Sequence, residues 1–196
     1  MQYIKHRINS LVELEKLPEG LGAELDLRAK SDSIYIHHDP FQSGDDFEDY
    51  LKLWVSRKRG TLILNTKEDG LEEEVLNLLG KYSVKDFFFL DTAFPTLVKW
   101  SLRKAEKRFA VRISEYEDIQ VLNHFRAKLD WVWLDSFSGL PASPEILKQL
   151  NGFKVCLVSP ELQSYAPEKI QEFKEQLGGY LDAVCTKLPE EWGWQK

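Results

Sequence analysis

Short apolar runs rich in β-branched and aromatic residues recur along the chain at 3–6, 23–27, 61–65, 87–91, 109–113, 131–135, 153–158 and 183–186. Each has strand length and is too short for a typical helix, so each is read as a strand. A further run, 34–38, follows the second strand after the polar turn Lys30-Ser31-Asp32-Ser33, a gap that fits a hairpin and not a crossover. Between the strands the apolar positions switch to helical spacing, which predicts helices over 9–16, 45–57, 71–82, 96–107, 118–129, 143–150 and 167–177. Ser143-Pro144-Glu145 is a start signal, a capping serine before a proline whose missing N–H costs nothing in a first turn. Asp69-Gly70 marks the turn before another helix.

Eight strands alternating with helices permit either an open doubly wound sheet or a closed (β/α)8 barrel. Gly20-Leu21-Gly22 lacks a third glycine and precedes a strand, so the phosphate-binding turn of a dinucleotide fold loses its support. The prediction is therefore an α/β fold: a compact (β/α)8 TIM barrel, one domain over 1–196, with an extra β-hairpin after strand 2. No low-complexity segment, heptad array or sequence repeat suggests a linker or a second domain.

Composition narrows the class. Of 196 residues, 43% are hydrophobic and 30% charged, enough apolar surface to offset chain entropy in a globular fold. With 26 Lys plus Arg against 32 Asp plus Glu, the net charge of -6 opposes a broad grip on a phosphate backbone, so no nucleic-acid partner is expected. Cys156 and Cys185 lie in apolar runs without metal or redox spacing and read as two buried thiols. The first residues lack a basic stretch leading into a long apolar core, and no run approaches the roughly 18 apolar residues of a membrane span. A cytoplasmic protein without stable membrane insertion is the expectation; composition sets no oligomeric state.

In such barrels chemistry sits at the C-terminal ends of the strands, and ionisable residues gather there. The strands end in His6-Arg7, Glu24-Leu25-Asp26, Asn65-Thr66-Lys67, Asp91, Arg112 with Ser114-Glu115 beyond it, and Asp135, while the hairpin ends in His37-His38-Asp39. Alternation puts Glu24 and Asp26 on one face, and Asn65 and Lys67 likewise on one face. Two same-facing acids in an apolar strand repel each other unless a cation or basic group lies between them, and their oxygens suit a hard ion, Mg2+ or Ca2+. Asp91, Asp135 and Arg112 serve equally well as helix caps or partners of a neighbouring charge. His6 and His38 both fall on the proposed mouth, where two imidazoles across a phosphate supply a general base and a general acid. His37 alternates away from His38 and is structural, and His124 sits on a predicted helix. A zinc pair of the His-x-His type needs spaced, not adjacent, histidines.

Trp131 and Trp133 share a face with Asp135, which suggests sugar stacking, although barrel packing is the plainer reading. Trp192-Gly193-Trp194 is expected to close the barrel bottom or to fray, and Glu72-Glu73-Glu74 to form a solvated helix face.

The order His-Arg, Glu-x-Asp, His-Asp, x-x-Lys along successive strands resembles the glycerophosphodiester phosphodiesterase family within the phosphatidylinositol-phospholipase-C-like barrels. The segments His6-Arg7-Ile8-Asn9, His38-Asp39-Pro40-Phe41, Leu64-Asn65-Thr66-Lys67, Ser114-Glu115-Tyr116-Glu117, Trp133-Leu134-Asp135 and Val158-Ser159-Pro160-Glu161-Leu162 are similar to a short bacterial branch found among surface-polysaccharide genes. The resemblance implies a barrel hydrolase in which His6 and His38 are the acid-base pair, Arg7 and Lys67 bind phosphate oxygens, and Glu24 and Asp26 hold a divalent cation. It implies attack by a neighbouring substrate hydroxyl on phosphorus, giving a cyclic phosphate that is then hydrolysed.

Two positions depart from the family. Ile8 stands where glycine usually follows His-Arg, and Asn65 stands where a third acidic ligand is usual; its amide oxygen still suits a hard cation, with one negative charge fewer. Glu115 or Asp91 are candidates for the missing charge. The insertion before strand 3 is reduced, since residues 40–60 carry little beyond one predicted helix, which implies a more open mouth. The leading expectation is a metal-assisted hydrolase of a glycerophosphodiester-like or glycan-linked phosphodiester. The alternative is a non-catalytic binder of a phosphorylated ligand or glycan on the same barrel.

Overall fold

The computed structural model describes residues 1–30 and 33–195; Ser31 and Asp32 of the predicted turn lie outside the described residues. The strands are β1 (Gln2–Lys5), β2 (Gly22–Lys30), β3 (Ser33–Ile36), β4 (Asp45–Asp46), β5 (Leu62–Thr66), β6 (Phe87–Leu90), β7 (Ala110–Ile113), β8 (Trp131–Leu134), β9 (Lys154–Val158) and β10 (Ala183–Thr186). All eight barrel runs predicted from the pattern are strands.

Parallel ladders join β1 to β2, β2 to β5, β5 to β6, β7 to β8, β8 to β9, β9 to β10 and β10 back to β1. The ring closes between β6 and β7 through a single bridge, Phe89 to Phe109, with the Phe89 amide donating to the Arg108 carbonyl at 2.8 Å. The extra strand β3 pairs antiparallel with the C-terminal half of β2, as the hairpin reading required, and carries the two-residue β4 on its other edge. Close strand approach at the start of β2 explains Gly22, where any Cβ would collide with the Thr61 carbonyl.

Period-two alternation sorts every barrel strand into an inward and an outward set. Ile4, Ile63, Phe88, Ala110, Trp131, Cys156, Ala183 and Cys185 fill the interior, with Phe88 stacked on Trp131 at 4.6 Å between centroids. The outward set, including Leu25, Leu64, Phe89, Val111, Val132 and Val184, packs under the helices in the larger core. Trp131 and Trp133 are both buried, so packing accounts for them. Cys156 and Cys185 are free, buried thiols, and burial pushes both well above the ordinary thiol range.

The helices are α1 (Leu11–Lys16), α2 (Phe47–Val55), α3 (Glu72–Lys81), α4 (Phe94–Val98), α5 (Leu122–Phe125), α6 (Pro144–Gln149) and α7 (Lys169–Leu177). Ser10, Asp46 and Ser143 cap α1, α2 and α6 by accepting from backbone amides.

Two helices are shorter than their periodicity predicts. The 96–107 helix passes into a π turn at Lys99–Arg103, where the Ser101 hydroxyl donates to the Leu97 carbonyl and competes with the helical ladder. The 118–129 helix reduces to a 3-10 turn and one α turn; Ala127 is left-handed at φ 62°, and Arg126 turns to the carbonyls of Gln149 and Asn151.

Two further expectations need correction. Glu72 is buried, not solvated, and accepts from the Gly70 amide at 3.1 Å. The tryptophan tail neither closes the bottom nor frays: Trp192 is 2% exposed and its Nε1 donates to Ser159 Oγ at 2.7 Å, just past the C-terminal end of β9. No helix follows β10 among the described residues, and the apolar indole covers the core there. Among the described residues no helix is long and apolar enough to cross a membrane.

Candidate active site

The strand alternation that buries Ile4 and Ile63 also turns His6 and Asn65, two residues further on, toward the barrel axis. On β2, Glu24 and Asp26 face inward while Leu25 and Leu27 join the outer core. The result is a polar hollow of about 250 Å³ at the C-terminal mouth, lined by His6, Arg7, Glu24, Asn65, Lys67, Asp91, Arg112, Asp135 and Gln163, with Leu90, Trp133, Val158 and Leu162 as its apolar walls.

Arg7 knits one side together. It sits just past β1 in the left-handed region at φ 54°, an uncommon conformation for an arginine. That turn aims its amide at Glu24 Oε2, 2.8 Å away, while its guanidinium donates to His38 Nε2 at 2.7 Å. A guanidinium only donates, so Nε2 accepts and Nδ1 carries the proton, which goes to Asp39 Oδ1 at 2.8 Å. Arg7, His38 and Asp39 thus form a chain with one defined tautomer, and the bond from His38 holds Asp39 below the usual carboxylate range. The neighbouring His37 turns to its own loop, its ring nitrogen accepting from the Asp39 amide at 3.0 Å.

His6 is the more enclosed imidazole. Burial, then Arg7 and Lys187, lower its pKa to about 4, so it is neutral at pH 7. Its Nε2 lies 3.7 Å from Glu24 Oε2, and its buried Nδ1 has no partner.

Glu24 is raised to about 7, first by burial and then by Asp26, against the Arg7 amide, the Asn65 amide and Lys67. Asp26 accepts from Asn9 Nδ2 at 2.7 Å and lies 2.9 Å from Lys67 Nζ. Asn65 donates to Glu24 Oε1 at 3.1 Å, which leaves Asn65 Oδ1 buried without a partner. Two carboxylates and a free amide oxygen on adjacent strands, where Asp26 stands in register with Asn65, suit a hard cation. Among the described residues no cluster of three or more His, Cys, Asp or Glu side chains is grouped to hold a metal, so the amide is needed to complete this set.

The opposite side carries a second network. Arg112 donates to Asp91 and Asp135, and Gln163 donates to Asp135 at 2.8 Å. Burial alone would lower Arg112, but the two carboxylates hold its pKa above the ordinary value; burial raises Asp135. Asp91, left-handed at φ 55°, reaches the hollow but is taken by Arg112. Glu115 does not reach it: its carboxylate accepts from the amides of Phe137 and Ser138 and from the hydroxyls of Ser136 and Ser138.

Asn9 and Asp39 are the partners that sequence reasoning left unassigned. Asp39 directly follows His38 and Asn9 stands two positions after Arg7, and that nearness was the available signal.

Solved structures share this fold. A glycerophosphodiester phosphodiesterase from Agrobacterium tumefaciens superimposes with TM-score 0.70 at 13% identity, covering 98% of both chains. One from Thermotoga maritima gives 0.67 at 15% identity over 97% of this chain and 96% of that one. An Oleispira antarctica phosphodiesterase, solved in complex with the product sn-glycerol-3-phosphate, gives 0.67 at 16% identity over 97% of this chain and 94% of that one. The chain therefore has the (β/α)8 fold of these phosphodiesterases. No protein-family model and no curated protein sequence matches it.

Proposed function

We propose that the protein is a phosphoric diester hydrolase acting on a small glycerophosphodiester-like or glycan-linked substrate, with the hollow at the mouth as its active site. The observation that carries this reading is the arrangement around Arg7: one residue bonds Glu24 through its amide and His38 through its side chain, beside a neutral His6. His6 lines the hollow and His38 is linked to it through Arg7, and two imidazoles of unlike environment beside a cationic donor are the equipment for in-line displacement at phosphorus.

Enclosed and neutral at pH 7, His6 takes the proton from a substrate hydroxyl as that oxygen attacks phosphorus. His38, whose Nδ1–H is held by Asp39, takes a proton from solvent at Nε2 once the phosphate draws Arg7 away. It delivers that proton to the departing alcohol as the old P–O bond breaks. A cyclic phosphate results, and water opens the ring by the reverse proton traffic. Arg7 and Lys67 hold the non-bridging oxygens. Glu24, Asp26 and Asn65 would hold a divalent cation, Mg2+ or Ca2+, whose charge offsets that of the phosphate. With one charge fewer than a three-acid set, this donor group binds the ion more weakly.

The test is a panel of phosphodiesters with and without chelator. The neighbour solved with sn-glycerol-3-phosphate makes glycerol-phosphate diesters the first choice. His6→Ala and His38→Ala are each expected to lower turnover about 10²- to 10⁴-fold with the circular dichroism spectrum unchanged. Undiminished turnover in the double variant would refute the acid-base assignment.

A second reading has its own support: Lys67 already neutralises Asp26, and Asn65 replaces an acid. On that reading the hollow binds a phosphorylated ligand or glycan without turning it over. Metal-independent phosphate binding with no cleavage across the panel would select it.

A further inference from the structure

A second concavity of about 430 Å³ adjoins the hollow and shares Leu90, Asp91 and Arg112 with it. Its remaining wall is apolar at Phe94, Leu97, Ala110, Val111 and Val121 and polar at Thr92, Glu117 and Asp118. Ala110 and Leu90 belong to the interior of the barrel, whereas Leu97 and Val111 belong to the outer core. A space lined by both sets passes through the wall of the barrel.

The ladder explains how. Between β6 and β7 only Phe89 and Phe109 are bridged, so toward the mouth Leu90 and Ala110 face one another with no ladder between them. The helical cover is also thin here, with α4 passing into its π turn and α5 a single turn. At the outer lip Phe94 is 55% exposed, with its ring edge against Phe125 at 6.0 Å between centroids.

We infer that this cleft takes an apolar group, alkyl or aryl, of the alcohol esterified to the phosphate, which makes the protein selective for phosphodiesters of an apolar alcohol. The inference rests on the phosphodiesterase reading of the hollow and names the substrate class for it. A phosphate held by Arg7 and Lys67 has the Arg112–Asp91 pair at its edge, and past that pair most of the wall is hydrocarbon, with Thr92, Glu117 and Asp118 as its polar members. Against Leu97, Val111 and Val121 an alkyl group loses only its water contact, whereas a polyol's hydroxyls find partners there only at those three residues.

Calorimetric titration of the intact protein in Mg2+ buffer with methyl phosphate and with octyl phosphate, the latter below its micelle concentration, tests this without requiring turnover. Octyl phosphate is expected to bind at least about tenfold tighter than methyl phosphate, given what burying several methylenes contributes. Val121→Trp, which fills the cleft, and Phe94→Ala, which removes its lip, should each reduce that preference and leave methyl phosphate unaffected. Equal affinity of the two phosphates overturns the inference. So does an octyl preference that survives both variants or appears only above the micelle concentration, since the chain would then lie elsewhere or be read by a surface. Absence of binding by either phosphate overturns the anion site itself, and with it this inference. That outcome is distinguished by the methyl phosphate arm.

Discussion

Along β1, β2 and β5 the parallel ladder is continuous, and the polar side chains it turns inward find partners on neighbouring elements: Asp26 with Asn9 and Lys67, Glu24 with Asn65 and Arg7. Between β6 and β7 one bridge closes the ring, and the residues above it line an apolar cleft. Both regions meet the same hollow. The difference is one of backbone pairing: Glu24, Asp26 and Asn65 are mounted on laddered strands, whereas the cleft opens where the ladder stops.

The largest expected contrast is in stability. Asp26→Ala removes a fully buried carboxylate, the partner of Asn9 and of a Lys67 side chain that is 20% exposed, and should cost about 2–4 kcal/mol in urea unfolding. Arg112→Met should cost less, about 1–2 kcal/mol, because the buried Asp135 it leaves still accepts from Gln163 and from the Ser136 amide. Equal costs would mean that those two bonds do not make up for the lost guanidinium.

Hydrogen exchange sharpens the same comparison. Peptides spanning 87–98 and 108–122 should exchange about tenfold or more faster than those spanning 22–29 and 61–67, because the facing edges of β6 and β7 share one bridge whereas β2 and β5 are joined by a continuous ladder. Equal protection would remove the basis for calling the β6–β7 side open.

The smallest effect lies on the β7–β8 rim. Burial raises Glu115, but bonds from Ser138 and Phe137 outweigh it and bring its pKa to about 2. Its folded pKa is depressed below the ordinary 4.5, so its contribution is complete above pH 4.5 and is lost as pH falls toward 2. Glu115 is exposed, so Glu115→Gln should cost under about 1 kcal/mol at pH 7. The variant and the parent should converge below pH 2 in acid titrations followed by circular dichroism. A difference that persists there would contradict the linkage.

Much of the fold was legible because alternation with period two survives in every barrel strand. The same parity that buries Ile4 assigns His6 to the mouth, and the parity of Leu25 and Leu27 assigns Glu24 and Asp26 to it. Two helix lengths were not legible: Leu97, Trp100 and Ser101 keep helical spacing whether or not the Ser101 hydroxyl opens a π turn. The left-handed Arg7 was hidden as well, since nothing in Arg-Ile requires that conformation and its cause is a carboxylate seventeen residues away. Glu115 was read toward the mouth because its destination is fixed by a loop after a different strand.

A ring clasped at one point can widen by splaying, as a split washer does, without surrendering the hydrogen bonds that hold the rest of its circumference. Closure through Phe89 and Phe109 alone gives this barrel such a joint. On the phosphodiesterase reading, a bulkier apolar group would be taken up at this joint while the ladders that carry Glu24, Asp26 and Asn65 stay closed.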